Sequence, residues 1–252
     1  MPETQIQTYR VALFGAQAPE LEAEVARHPN LTLVDEDPDV VISYGGDGTL
    51  LAAELAWPGV PKAPILNSRR GKRCIRHPAA EVVDHLAEGT LVRNRYTKVE
   101  CAIQRRGDAE PDCYVTALNE INVHKGRINS AVRFRLWLND YPYEEGTEIL
   151  GDGLILCTPF GSTAYFNKIT RCAFTQGIGI AFKATSEQTN HVVVPDIVTV
   201  RVLITRGPAV LAFDSSTQFF DLQAGDQLIT RKHARGATIL TCGPVHRLAE
   251  PF

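Results

Sequence analysis

Two hydrophobic periods divide this chain, and each dictates a different kind of sheet. Through the first third, short apolar runs at residues 10–14, 31–34, 40–44 and 64–66 alternate with segments of helical spacing at 19–27, 50–56 and 78–88. Continuous apolar strands separated by helices are buried on both faces, which predicts an open, mainly parallel α/β sheet. From about Val92 the period falls to two. Val132, Phe134, Leu136 and Leu138 alternate with Arg133, Arg135 and Trp137, as in an antiparallel strand with one wet face. Similar stretches at 191–194, 198–205, 210–213 and 227–231 are broken by turn signals such as Arg206-Gly207-Pro208 and Gly225-Asp226. The expectation is an amino-terminal α/β domain over residues 1–92 and a carboxyl-terminal antiparallel β-sandwich-like domain over residues 93–252.

Composition removes several classes of function. A chain of 252 residues with 44% hydrophobic and 22% charged residues buries a core without staples. The formal net charge is −3, so no global positive field draws it to nucleic acid or to an anionic membrane, and neither is expected as a partner. No apolar run approaches the roughly 20 residues that span a bilayer. Six cysteines (Cys74, Cys101, Cys113, Cys157, Cys172, Cys242) show no close pair at zinc-ligand spacing, so no protein-held metal is expected. The start Met1-Pro2-Glu3-Thr4-Gln5 has no basic-then-apolar leader, and reduced thiols in the cytoplasm are the natural reading.

Directly after the 40–44 strand comes Gly45-Gly46-Asp47-Gly48-Thr49, followed by a helical segment. Glycines at a strand-to-helix turn let a phosphate approach the backbone, and a helix N-terminus offers free N–H groups, so Gly46, Gly48 and Thr49 suit phosphate. Asp47 repels phosphate, which suits a hydroxyl or a metal ion instead. A helix cap and a plain turn would account for the same residues less completely.

Asn119-Glu120 sets an amide beside a carboxylate at the head of a strand-like run. Asn can donate to and accept from an adenine edge, and Glu can accept twice from a ribose diol, although a turn at a strand end explains the pair as well. The most specific stretch is residues 151–165, reading Gly-Asp-Gly-Leu-Ile-Leu-Cys-Thr-Pro-Phe-Gly-Ser-Thr-Ala-Tyr. It reads as an aspartate (Asp152) in a glycine turn, a buried strand, a Pro-Phe-Gly bend and a helix capped by Ser162 that presents Thr163 and Tyr165. Hydroxyls, free N–H groups and an aromatic face together suit a nucleoside.

These three motifs, in this order and approximate spacing, resemble the NAD kinase family. The pentapeptide at Gly45 is shared more widely, with diacylglycerol kinases and phosphofructokinases; the Asn-Glu pair and the 151–165 block single out NAD kinases. A fainter match continues through residues 192–196. The resemblance implies a two-domain fold, phosphoryl transfer from ATP with Mg²⁺ to the adenosine-ribose 2′-hydroxyl of NAD, and a homodimer or homotetramer in which a neighbouring subunit also lines the site. It implies Asp47 as general base and phosphate contacts at Gly46, Gly48 and Thr49. Asn119, Thr163 and Tyr165 would contact the adenine end, with Ser162 and Ala164 lining the pocket. Glu120 would hold ribose hydroxyls, and Asp152 would contact the nicotinamide-ribose half.

Three segments depart from the family pattern. Where the family carries Gly-x-Leu-Gly-Phe, this chain reads residues 67–77 with five cations, Arg69, Arg70, Lys72, Arg73 and Arg76. They form either a solvated loop or an anion site in which Arg69 and Arg70 meet phosphate. After Tyr165 the usual Ala-Gly-Gly-Pro becomes Ile169-Thr170-Arg171-Cys172, and a later Asp-Gly turn becomes Asp214-Ser215. The rival readings are a catalytically silent NAD or nucleotide sensor of the same fold, and a related kinase with another hydroxyl acceptor.

Overall fold

The computed structural model describes residues 7–185 and 189–243. The segment Met1 to Gln5, on which the expectation of no leader rests, lies outside them. The chain begins with β1 (Tyr9–Phe14), a 3₁₀ turn (Ala18–Leu21), α1 (Glu22–Ala26), β2 (Leu31–Leu33), β3 (Val40–Gly45), α2 (Asp47–Ala56), β4 (Lys62–Leu66), α3 (Ala79–Ala87) and β5 (Val92–Tyr96). It continues with β6 (Val99–Gln104), β7 (Cys113–Ala117), β8 (Glu120–Lys125), β9 (Val132–Leu138), β10 (Tyr141–Pro142), β11 (Ile149–Gly151) and β12 (Gly153–Cys157). After a 3₁₀ turn (Gly161–Thr163) come α4 (Tyr165–Thr170), β13 (Ile178–Lys183), β14 (His191–Val194), β15 (Val200–Arg206), β16 (Ala209–Phe213), β17 (Phe220–Leu222), β18 (Gln227–Lys232) and β19 (Ala237–Thr241).

Two compact units result. The first holds the chain through Tyr96 and the segment from Gly236 onward. Its sheet has the order β2-β1-β3-β4-β19-β5, parallel throughout except that β5 runs antiparallel to β19. As the apolar runs require, both faces are covered. Val40 and Ile42 pack with Val82, Val83 and Leu86 of α3 on one side, while Val41 packs with Ala53 of α2, Phe14 and Trp57 on the other.

The second unit spans Thr97 to Arg235 and contains two antiparallel sheets, β10-β9-β15-β18-β6-β7 with β11 alongside β9, and β14-β13-β12-β8-β16-β17. The period-two strand at β9 buries Val132, Phe134 and Leu136 completely, while Leu138 near the β10 turn is half-buried. The α/β and antiparallel halves read from periodicity are therefore both present.

The expected division at residue 92 is corrected in two ways. The units part between Tyr96 and Thr97, and the strand at 237–241, expected in the second domain, completes the first sheet. Without β19, β4 would present an open edge beside an apolar core, and Ala237, Ile239 and Leu240 would stay in water. The 19–27 helix is also shorter than its spacing suggests. Pro19, which has no N–H, stands at the first turn of a 3₁₀ segment, and α-geometry begins only at Glu22.

Beneath α2 lies an ion pair with almost no access to water. Lys62 and Glu54 are 0% and 1% exposed, and the ammonium donates to the Glu54 carboxylate and to the Trp57 carbonyl. The Glu54 carboxylate also accepts the Gly59 amide at 3.2 Å, so the pair ties the end of α2 to the start of β4. Removing one member of such a pair costs about 3–5 kcal/mol, because it leaves a buried charge unpaired. Glu54→Gln is therefore expected to lower the urea midpoint by that equivalent, whereas Glu54→Leu combined with Lys62→Met recovers most of it.

Candidate functional site

In the first unit the candidate site residues gather where β3 passes into α2. Gly45 ends the strand, and a Cβ there would lie 2.3 Å from the Thr49 hydroxyl oxygen. Gly46 is the extended residue before the helix, and a Cβ on it would meet the Ser68 hydroxyl at 2.9 Å. Asp47 is the first helical residue, and Gly46 contributes its carbonyl to the Thr49 amide at 3.0 Å. The helix therefore starts three residues earlier than its apolar spacing indicated. Gly48 faces solvent and Thr49 is half-buried.

Asp47 does not cap its own helix. Its carboxylate reaches outward to the loop after β4, where Oδ1 accepts the Arg73 amide at 2.9 Å and Oδ2 the Lys72 amide at 3.0 Å. The Cys74 thiol lies 3.6 Å from Oδ1, and burial, followed by this carboxylate, pushes that thiol up to about 12. The loop is pinned at both ends: the Asn67 amide donates to the Gly45 carbonyl at 2.8 Å, and the Ile75 amide to the Pro64 carbonyl at 2.7 Å. Gly71 admits the close approach, since a Cβ there would stand 2.5 Å from Leu66 and 3.4 Å from the Asp47 carboxylate.

The cation-rich segment thus turns its backbone toward Asp47 and its charges outward. Arg69, Arg70 and Lys72 are exposed, and neither Arg69 nor Arg70 forms an ion pair among the described residues. Arg73 is half-buried, and burial holds its guanidinium below its ordinary value, opposed by the charges of Tyr96 and Asp47.

In the second unit the Asn119-Glu120 pair forms the corner between β7 and β8. The Thr158 amide donates to the Asn119 carbonyl at 2.9 Å, and the bend after Thr158 packs onto this corner. A Cβ on Gly161 would fall 2.3 Å from the Asn119 carbonyl oxygen, so only glycine lets the bend lie there. Thr163, Ala164 and Tyr165 follow immediately; Thr163 and Ala164 are half-buried, and Tyr165 is 41% exposed at the head of α4.

Ser162 corrects an expectation. It lies in the 3₁₀ turn, the residue before α4 is Ala164, and no side chain caps that helix. The buried Ser162 hydroxyl reaches the Pro159 carbonyl at 2.8 Å and the Phe174 carbonyl at 3.1 Å, because an enclosed hydroxyl needs a hydrogen-bond partner. The segment that departs from the family pattern closes the same helix. Thr170 donates to the Phe166 carbonyl at 3.0 Å, Arg171 adopts a left-handed cap at φ 60°, and Ile169 packs against Phe166 over β12 and β13.

Asp152 stands apart from the corner. Cys157, at the end of β12, pairs with Glu120 in the sheet, and Asp152, just before the start of β12, is five residues from Cys157, about 16 Å at strand rise. Its carboxylate meets the Lys125 ammonium at 2.7 Å. Nearby, the buried Lys183 ammonium donates to Asn122 at 2.5 Å and contacts His124 at 3.1 Å. Gly153, between them in register, has no side chain to separate the two. Burial lowers Lys183 to about 8, opposed by Asp152.

Sequence reasoning missed Asp214. Its carboxylate accepts the amides of Leu118, Asn119 and Glu120 at 2.6, 2.8 and 3.2 Å. The only local signal is its place in a turn after an apolar run. Burial raises Asp214 to about 6 against those donors and Lys98. Burial, then the charge of Asp214, pushes Glu120 up to about 8, and the Glu120 Oε2 has no hydrogen-bond partner.

Glu120 makes stability depend on pH in a definite direction. In the unfolded chain it ionises near 4.5 and in the folded chain near 8. Its contribution is therefore full below pH 4.5 and is lost as the pH rises toward 8. Glu120→Gln removes this loss, so the melting temperature of the variant minus that of the parent should grow steadily from about pH 5 to about pH 8. Thermal melts across that range check it; a constant difference would contradict the assignment.

No protein-family model matches the sequence. Individual relatives do. The chain is 35% identical over 137 residues to an NAD kinase of Gemmatimonas aurantiaca, covering 52% of this chain and 45% of the relative. That match therefore spans less than half of the relative's length. Identity is 27% over 222 residues to an NAD kinase of Neisseria gonorrhoeae, covering 84% and 72%, and 29% over 214 residues to one of Treponema pallidum, covering 81% and 68%. Among solved structures, yeast NADH kinase complexed with NADH superposes with a TM-score of 0.80 at 15% identity, covering 97% of this chain and 86% of that one. An NAD kinase from Archaeoglobus fulgidus in complex with ATP superposes with a TM-score of 0.70 at 20% identity, covering 91% and 92%. At such identities the superpositions speak for the fold, and the sequence matches carry the relationship. With the three motifs in order, the sequence matches relate this chain to the NAD kinases, and its fold is that of the NAD and NADH kinase structures over nearly the whole chain.

Proposed function

We propose that this protein is an NAD kinase that transfers the γ-phosphoryl group of ATP to the adenosine-ribose 2′-hydroxyl of NAD, with Asp47 as general base. The observation that carries the proposal is the placement of Asp47: a carboxylate at the start of a helix, immediately after a parallel strand, held from one side by two main-chain amides. Ligands of open α/β sheets bind at the carboxyl ends of the strands, and a carboxylate in a bare glycine turn can take a proton from an attacking hydroxyl. Gly46, Gly48 and Thr49 then serve phosphate, with Arg69 and Arg70 as exposed cations for the triphosphate.

In the second unit, Asn119, Thr163, Ala164 and Tyr165 serve the adenine end and Glu120 the ribose hydroxyls. With Glu120 raised to about 8, its carboxyl is largely protonated at neutral pH and can donate as well as accept. Ser162 shapes the turn rather than meeting the ligand. Asp152, just before the start of β12, would meet the nicotinamide-ribose half in a homodimer or homotetramer. Mg²⁺ would arrive with the triphosphate, held by phosphate oxygens and water; among the described residues no group of three acidic, His or Cys side chains could hold it alone. Its charge would offset repulsion between the transferred group and the attacking oxygen. The free thiols suit a reducing compartment, which we take to be the cytoplasm. Every relative described above is an NAD or NADH kinase, which disfavours an unrelated hydroxyl acceptor.

The test is incubation of the purified chain with ATP, Mg²⁺ and a panel of acceptors that includes NAD and NADH, with products identified by mass. NADP is the expected product; NAD binding without any phosphorylated product would replace the proposal with a silent sensor. Asp47→Asn should keep nucleotide affinity and lose about 10²–10⁴-fold in rate, whereas Asn119→Ala and Tyr165→Ala should raise KM for NAD before lowering kcat. If Arg69 and Arg70 meet phosphate, their double replacement by Ala weakens ATP or NAD binding and flattens its salt dependence with melting temperature unchanged. Unchanged isotherms for both ligands at two salt concentrations would make the segment a solvated loop.

A further inference from the structure

Leu118, Asn119 and Glu120 carry six main-chain polar groups, and two distant residues satisfy all of them. Asp214 takes the three amides, at 2.6, 2.8 and 3.2 Å. In return its own amide donates to the Glu120 carbonyl at 3.1 Å. Thr158 supplies the other two carbonyls, its hydroxyl donating to Leu118 at 2.5 Å and its amide to Asn119 at 2.9 Å. The backbone of this corner has no donor or acceptor left over, while the Glu120 Oε2 is buried without a partner.

Only a carboxylate suits the Asp214 position, because it offers about four lone-pair directions and no donor of its own. The residue also adopts φ 43°, a left-handed conformation that Asp and Asn tolerate better than most residues. We propose that Asp214 is a positioning residue that sets the geometry with which Asn119 and Glu120 meet the adenosine half of a dinucleotide, an inference that rests on the nucleotide-binding part of the proposed function. A second effect accompanies the first. The ionisable groups acting on this corner are Asp214 itself, Cys157 across the sheet from Glu120, and Lys98 against Asp214. The negative charge of Asp214 favours the protonated form of Glu120, so neutralising Asp214 shifts the titration of Glu120 to lower pH.

The experiment measures NAD affinity by calorimetry across pH, and NADP formation, for the parent, Asp214→Asn and Asp214→Glu. Asp214→Asn keeps the size but turns an amide donor toward backbone donors. It is expected to weaken NAD binding by about 10–100-fold, as for loss of a charge-assisted hydrogen bond, to change kcat at saturating NAD by less than about threefold, and to move the pH midpoint of affinity downward. Asp214→Glu retains the charge and displaces the carboxylate, so it should weaken binding without moving the midpoint, and it carries the affinity comparison should Asp214→Asn not fold. A general loss of structure would instead lower kcat and affinity together with the melting temperature and leave the midpoint in place, which overturns the inference. Parental affinity in both variants overturns it as well. A parent that binds NAD and forms no NADP defeats the kinase reading alone, because the affinity comparison stands without turnover.

Discussion

Loop amides that find no partner in a helix or sheet must find one elsewhere, and in this chain aspartate carboxylates supply it. Asp39 likewise accepts the amide of Arg10, at the start of β1, at 2.8 Å. Asp226 accepts the amides of Arg106 and Gln223, both at 3.0 Å, and the Arg105 guanidinium at 3.1 Å. Asp47 gathers the loop after β4, and Asp214 gathers the corner before β8. An enclosed N–H left alone costs about as much as a lost hydrogen bond, and a carboxylate can satisfy several at once. Irregular segments thereby find partners for their amides, and two of these four aspartates, Asp47 and Asp214, each hold a candidate functional segment of their own unit.

That arrangement divides the labour of the basic segment after β4. Its backbone orients Asp47 while Arg69, Arg70 and Lys72 extend into solvent, so one loop both holds the candidate base and keeps three cations exposed. A glycine-rich loop could provide the first service without the second. The loop can lie against Asp47 because Gly71 has no side chain to interfere; a Cβ there would stand 3.4 Å from the carboxylate. The opposite treatment of charge is seen at Lys62 and Glu54, which are fully enclosed, paired with each other and remote in role from any ligand.

Much of this was legible beforehand because its signals are local. The 40–44 strand, the glycines after it and the helix beyond them identify a strand-to-helix turn, and the structure puts Asp47 at its helix head. Alternation in residues 131–139 identifies a half-buried strand, and Val132, Phe134 and Leu136 are enclosed as that period demands. Ser162 was misread because a hydroxyl before a helical segment has the same local appearance whether it caps the helix or turns inward; the nearby Phe174 carbonyl, twelve residues away, settles the direction. The return of β19 to the first sheet was equally hidden, since an apolar strand carries no mark of which sheet edge it will complete.

The sequence by itself determined the fold class, the positions of the turns and the chemical types at the site, because periodicity and turn chemistry act over a few residues. Tertiary structure alone decided which groups those residues meet. Asp47 meets amides 25 and 26 residues away, and Asp214 meets amides 94 to 96 residues away. Such contacts have no period and no composition. They arise when strand pairing brings distant corners together and leaves unpaired N–H groups within reach of a carboxylate, so the orientation of Asp47 and the backbone frame of Asn119 and Glu120 became visible only in the folded chain.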